Sequence, residues 1–154
     1  MAGKRDIIST NRKATHDYFV SERLEAGIEL TGAEVKSLRQ NSASMRDCYV
    51  TIRGGEAWML GVHIAPYSHA CSFDDDPDRR RRLLLHKRQI EQLARQADRE
   101  GYTIVPLSLY FNERGRVKVE LGVCKGKRAH DKRETIKRRD EARDVERALK
   151  ERSR

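Results

Sequence analysis

The chain has 154 residues, and its 33 Lys and Arg against 24 Asp and Glu leave a formal net charge of +9, with hydrophobic and charged residues at 37% each. That length suits one domain with a real core and is too short for two of ordinary size. No run approaches the roughly 18 to 20 apolar residues of a membrane-spanning helix, and the charge excess favours a polyanionic partner, nucleic acid first.

The N-terminus Met1-Ala2-Gly3-Lys4-Arg5-Asp6 lacks the apolar core of a signal peptide, so a cytoplasmic protein is expected. Cys48, Cys71 and Cys124 are odd in number, widely separated and part of no Cys-x-x-Cys pair, and they read as reduced thiols rather than a disulfide framework or a zinc site.

Residues 1–14 carry Lys4, Arg5, Arg12 and Lys13 against Asp6 alone, with little to bury, and read as a basic N-terminal arm. From Thr15 to Leu24, aromatic and β-branched residues stand near polar ones, which predicts a strand closed by Ala26-Gly27. Thr31-Gly-Ala-Glu34 fits a capping box, in which the Thr hydroxyl and the Glu carboxylate each accept from a backbone N–H of the first turn, so a helix is predicted over Gly32–Arg39. Two apolar-rich runs, Asp47 to Arg53 and Glu56 to Ile64, flank Gly54-Gly55 and predict a hairpin.

Asp74 to Asp78 followed by Arg79 to Arg82 switches from acidic to basic within nine residues and reads as an exposed loop. Ile90, Leu93, Ala94 and Ala97 recur at helical spacing and Gly101 stands where a C-terminal cap belongs, predicting a helix from about Leu84 to Glu100. Tyr102 to Phe111 and Arg116 to Cys124 are again strand-like, joined by Asn112-Glu-Arg-Gly115, with Val117, Val119, Leu121 and Val123 on one face and Lys118 and Glu120 on the other. Antiparallel hairpins without a βαβ rhythm point to a mainly β fold: a small antiparallel barrel resembling the OB-fold, with flanking helices.

Residues 126–154 hold twelve Lys or Arg and seven acids, a net of +5, which leaves +4 for the first 125 residues. Ile136, Val145 and Leu149 are too few large apolar side chains to offset an ordering cost of about 1 to 2 kcal/mol per residue, so the tail is expected to be disordered when free. Glu134 with Arg138 and Glu146 with Lys150 are acid-then-base pairs four apart, which favours a helix once an RNA surface is bound. The organisation expected is thus an arm over 1–14, an OB-like RNA-binding barrel over 15–125 and a basic tail over 126–154.

Catalytic patterns are missing: His16, His63, His69, His86 and His130 fall in no zinc-protease motif, and there is no Gly-x-Ser-x-Gly or Gly-rich phosphate loop. No enzyme activity, catalytic residue, metal or cofactor is expected. Asp74, Asp75, Asp76 and Asp78 form an acid cluster that reads as charge balance beside four arginines, with Mg²⁺ ligation as the alternative. Glu34 is either a cap or a direct RNA contact. Arg79 to Arg82 either bind phosphate or solvate a loop, and Tyr110 and Phe111 read as core rather than as base-stacking groups.

Several blocks carry a resemblance to one family. Asn11-Arg-Lys-Ala14 with His16-Asp-Tyr-Phe19, Glu25-Ala-Gly-Ile28, Leu30 to Arg39, Leu83-Leu-Leu-His-Lys87, Val105 to Phe111, and Lys125-Gly-Lys-Arg128 through Asp131-Lys-Arg-Glu134 resemble small protein B, the SsrA-binding proteins of bacteria, in order and with family spacing. The resemblance implies a role in trans-translation. The family binds the tRNA-like domain of transfer-messenger RNA (tmRNA, SsrA RNA), charged with alanine, and delivers it to ribosomes stalled without a stop codon, its tail becoming helical in the vacant mRNA channel. Carried onto matching positions, it implies that Asn11, Arg12, Lys13, Glu34, Lys36 and Lys125 contact the tRNA-like domain. It also implies that Gly126, Lys127, Arg128, His130, Asp131, Lys132 and Arg133 engage the decoding centre of the small ribosomal subunit. A monomer is the expected state. Asp74 to Asp78 and the unbroken Arg79 to Arg82 depart from the family's Asp-Pro-x-Arg-x-Arg-Lys.

Overall fold

Alternation of apolar and polar residues gives this molecule its sheet. A computed structural model describes residues 4–67, 76–127 and 129–152, and gives side chains for all of these except 129–136. In chain order the elements are β1 (Asp6–Thr10), α1 (Arg12–Asp17), β2 (Tyr18–Ile28), α2 (Gly32–Arg39), β3 (Ala43–Arg53), β4 (Glu56–Ile64), β5 (Arg81–Leu84), α3 (Lys87–Ala97), β6 (Tyr102–Phe111), β7 (Val117–Gly126) and α4 (Ala129–Arg152).

The strands pair antiparallel in the order β6-β3-β4-β5-β2-β7, and β7 returns to β6, so six strands close a barrel and leave no open edge. β6 divides its other edge: Ile104 pairs with Val50 of β3, while Ser108 to Phe111 pair with β1. The barrel interior is filled by Val50, Met59, Val62, Ile104, Leu109 and Leu121, all 6% exposed or less, each contributing about 1.5 to 3 kcal/mol by leaving water. Leu38 of α2 and Leu93 of α3 join the same core.

β6 is buried on both faces. Ile104 and Leu109 point into the barrel, while Val105 and Leu107 pack outside it with Ala14 of α1 and Cys124 of β7. That second, smaller core fixes α1 against the wall of the barrel. Between the two sets, β6 shifts register at Pro106–Ser108, where a residue without an N–H is tolerated.

The hairpin at Gly54-Gly55, the capped helix α2 and the paired strands β6 and β7 follow the sequence reading. Four stretches differ from it. Residues 6–10, within the stretch read as a basic arm, form β1, because the β-branched run Ile7-Ile8 finds its partner about a hundred residues away on β6. Residues 12–17, read as the end of the arm and the start of a strand, form α1, capped by Asn11, whose side-chain oxygen accepts from the Ala14 N–H. Arg81 to Leu84 are a strand between β4 and β2 rather than an exposed loop and a helix start, and α3 begins only at Lys87, with the Gln89 side chain accepting from the His86 N–H. At its far end α3 stops at Ala97, short of the predicted Glu100.

α4 carries no buried side chain over residues 137–152; it is supported by local pairs such as Glu146–Lys150 at 3.3 Å and by a bond from Arg139 to the Thr15 hydroxyl of α1 at 3.1 Å. No helix is long and apolar enough to cross a membrane among the described residues.

Candidate nucleic-acid interface

β-sheet register puts cations beside aromatic rings where the barrel ends and the tail begins. Lys125 near the end of β7 lies opposite Phe19 of β2 on one side and Tyr102 of β6 on the other. Its ammonium stands 5.9 Å from the Tyr102 ring centre. Lys127 holds its ammonium 4.9 Å over the Phe19 ring and donates to the Thr15 carbonyl at 2.9 Å. Phe19 is 50% exposed, a large apolar face kept in water beside two cations. An exposed ring flanked by ammonium groups can take a base on its face and a phosphate beside it.

α1 adds two more cations to this seam. Arg12 is exposed, and Lys13 is exposed and bound to Asp47 at 2.7 Å. The hydrogen bond that the ammonium donates to Asp47, then the Asp47 charge, raise the Lys13 pKa, so this ammonium is charged at any physiological pH. Beside Lys13 runs a groove of about 280 Å³ lined by Asp17, Tyr18, Arg46, Asp47 and Tyr49.

Two expected contact residues face inward instead. Asn11 is 3% exposed: its amide donates to the Pro106 carbonyl at 2.9 Å and to the Cys48 sulfur at 3.2 Å, and its backbone N–H donates to Leu107. Every polar atom of that side chain is used in seating α1. Glu34, 5% exposed, accepts from the Thr31 N–H at 3.0 Å in the capping box and pairs with Arg79 and with Arg81, the latter at 2.6 Å. Burial alone would push its carboxyl up, but the hydrogen bonds from Arg79, Thr31 and Arg81, with the Arg81 charge, outweigh burial and hold it below the ordinary glutamate value. Of the two readings of Glu34, the cap is present, and an inward ion pair is added to it.

Arg81 completes that cluster from the other side. It is 1% exposed, donating to Glu34, to the Val62 carbonyl at 2.7 Å and to the Pro77 carbonyl at 2.9 Å. Of the four arginines read together, Arg81 is structural, Arg82 pairs with Glu29 and Glu56 across the barrel wall, and Arg80 is exposed. Tyr110 is fully buried, and its hydroxyl donates to Glu25, as the core reading expects.

Lys36 is exposed on α2, 5.7 Å over the Tyr67 ring, and α2 packs against β4 rather than against the seam. The structure therefore brings Lys125, Gly126 and Lys127 together beside α1, the helix that carries Arg12 and Lys13, and leaves Lys36 apart. Arg128 lies outside the described residues, as do Cys71, His69, Asp74 and Asp75. His130, Asp131, Lys132 and Arg133 fall in the first turns of α4, where only the backbone is described. The sequence reading missed Phe19 as an exposed ring and Tyr102 as a half-buried one beside the same lysine; their signal is the register with Lys125, which no local pattern carries.

A family model described as SmpB protein matches residues 8–151. The SsrA-binding protein of Roseiflexus sp. (strain RS-1) is 53% identical over 149 residues, covering 96% of this chain and 94% of that protein. The SsrA-binding protein of Nitratidesulfovibrio vulgaris (strain DP4) is 54% identical over 144 residues, covering 94% and 93%. A solved structure described as "tmRNA-SmpB: a journey to the center of the bacterial ribosome" superposes with a TM-score of 0.67 at 42% identity, covering 83% of this chain and 93% of the other.

Proposed function

The chain belongs to the SmpB protein family, and from that premise we propose that it is an RNA-binding adaptor of trans-translation. It binds the tRNA-like domain of tmRNA and delivers it to stalled ribosomes. The observation that carries this reading is the seam around Lys125, where two aromatic rings and the cations Lys125 and Lys127 meet on strands the barrel holds rigidly. Relatives named for SsrA binding, and a structural neighbour described with tmRNA and the ribosome, support the same partners.

In this reading Arg12, Lys13 and Lys125 meet the phosphates of the tRNA-like domain, each neutralised phosphate adding to a salt-dependent affinity. Lys36 is a further phosphate contact reached from α2. Asn11 and Glu34 serve the same interface as positioning residues, one by seating α1 and the other by fastening α2 to β5. The segment Gly126, Lys127, Arg128, His130, Asp131, Lys132 and Arg133 leads α4 into the vacant mRNA channel and the decoding centre. The protein acts as a monomer without catalytic residues, metal or cofactor.

The test is competition. A labelled tRNA-like RNA is held on the full-length protein at one stated salt concentration and challenged with unlabelled tRNA-like RNA or with unrelated hairpins of equal length. The specific RNA is expected to compete at least about tenfold better, a difference of about 1.4 kcal/mol. Equal competition would replace the specific reading with general RNA binding.

A further inference from the structure

The outward face of the β3–β4 hairpin holds a cluster that the seam at Lys125 does not include. In β3 the core takes Val50, and the alternation of the strand turns Tyr49, Thr51 and Arg53 outward; in β4 the core takes Ala57 and Met59, and Trp58 and Leu60 face out. Register sets Thr51 opposite Trp58 and Tyr49 opposite Leu60. Arg80, from the stretch before β5, lays its guanidinium 4.9 Å from the Trp58 ring centre. These six residues line one cleft of about 120 Å³.

Three features of the cleft narrow its ligand. Tyr49 is 48% exposed, an aromatic ring left in water beside a second one. Arg80 is exposed and, among the described residues, has no carboxylate partner, so its charge is available. The volume suits one flat ring system and falls below the roughly 300 to 1,000 Å³ of pockets for small organic ligands. Ring faces beside an unneutralised guanidinium are the means by which proteins hold splayed bases of single-stranded RNA.

We propose that this cleft is a stacking site for one unpaired nucleobase. The base takes the Trp58 face that Arg80 now covers and lies against Tyr49, while Arg80 and Arg53 turn to the flanking phosphates. Tyr49 also lines the groove that runs past Arg46 to Lys13, so the strand leaving the cleft passes along basic side chains toward α1. The proposal rests on RNA being the partner, and it adds a second point of attachment on a different wall of the barrel.

Trp58 is the only tryptophan of the chain, so its emission reports on the cleft directly. Full-length protein is titrated at one stated low salt concentration with a six-nucleotide RNA, with an abasic hexamer of the same charge, and with hexaglutamate. The expected result is quenching by the RNA hexamer, and binding at least about fivefold weaker for the two controls. Tyr49→Ala and Arg80→Gln, both at exposed positions, are each expected to weaken the hexamer by about five- to a hundredfold with an unchanged unfolding midpoint. Equal binding of the abasic hexamer would reduce the cleft to a charge site, equal binding of hexaglutamate would make it a site for acidic peptide, and absence of quenching would remove it; each overturns the proposal. Because the hexamer carries no tRNA-like fold, failure here with intact preference for the tRNA-like RNA sinks the stacking site alone, and the reverse pattern sinks the specific partner alone.

Discussion

Arg81 and Glu34 bind each other inside the protein, Nε to Oε2 at 2.6 Å, with both side chains almost wholly removed from water. Removing one partner of such a pair leaves the other charge buried, at a cost of about 3 to 5 kcal/mol. Glu34→Gln is therefore expected to lower stability at pH 7 by about that amount. The folded carboxyl titrates below its ordinary value of about 4.3, so the stabilisation is complete above that pH and is lost as the pH falls through the lower folded value. Urea midpoints at pH 7 and pH 3 check the sign: the gap between wild type and variant should narrow in acid, and an unchanged gap argues against the ion pair as its source.

Lys125→Ala is predicted to act on RNA binding without touching the core, since the side chain is exposed. If its ammonium neutralises one phosphate, the slope of log affinity against log salt falls by about 1 and all RNA sequences weaken alike. A salt series with wild type and variant measures this directly; an unchanged slope would take Lys125 off the phosphate backbone.

A truncation placed after Arg128 separates the two parts of the proposed function. Gly126 pairs with Tyr18 and Lys127 donates its N–H to Asp17, so a cut before them would damage the barrel wall, whereas α4 begins only at Ala129. The shortened protein is expected to hold the tRNA-like RNA with nearly full affinity and to lose peptide tagging on stalled ribosomes. Parallel loss of both activities would refute that division.

Cys48 and Cys124 are predicted to resist alkylation. Burial is the main cause that pushes each thiol up to about 11. At pH 8 only about one molecule in a thousand then carries the thiolate, against roughly a quarter for an ordinary thiol near 8.5. Iodoacetamide labelling of native protein, mapped by mass spectrometry, should leave both unmodified while urea-unfolded protein labels fully.

Gly61 faces the bulge of β3 between Met45 and Tyr49, with φ at +81°. A Cβ there would fall 2.4 Å from the Asp47 carbonyl oxygen. Gly61→Ala is expected to cost about 1 to 3 kcal/mol from backbone conformation alone, with the collision added. Gly122→Ala meets only the Leu107 side chain at its closest approach and should cost less in the same denaturation assay.

Local signals carried the parts of the fold that local chemistry decides. The Thr31–Glu34 box, the Gly54-Gly55 turn and the alternation through Val117 to Val123 each contain their own explanation within a few residues. β1 and β5 do not, because five and four residues become strands only when distant edges receive them. The same holds for the arginines: Arg79 to Arg82 look alike in sequence, and only Arg81 is fully buried, held by Glu34, Val62 and Pro77 from three different parts of the chain. Asn11 was not legible as an interior position, since its partners Cys48 and Pro106 lie 37 and 95 residues away.

The way α4 leaves the barrel restricts how it can move. Lys127, one residue short of that helix's approach, ties its backbone to Asp17 at 2.8 Å and its ammonium to Thr15 at 2.9 Å, and Arg139 reaches back to the Thr15 hydroxyl at 3.1 Å. These bonds make α1 a latch rather than a bystander. Swinging the helix to a new bearing must unfasten Arg139 from the Thr15 hydroxyl, while Lys127 stays tied to Asp17 and Thr15 by bonds of its own. The helix is thus held at two points of α1, and the inner one does not depend on the outer.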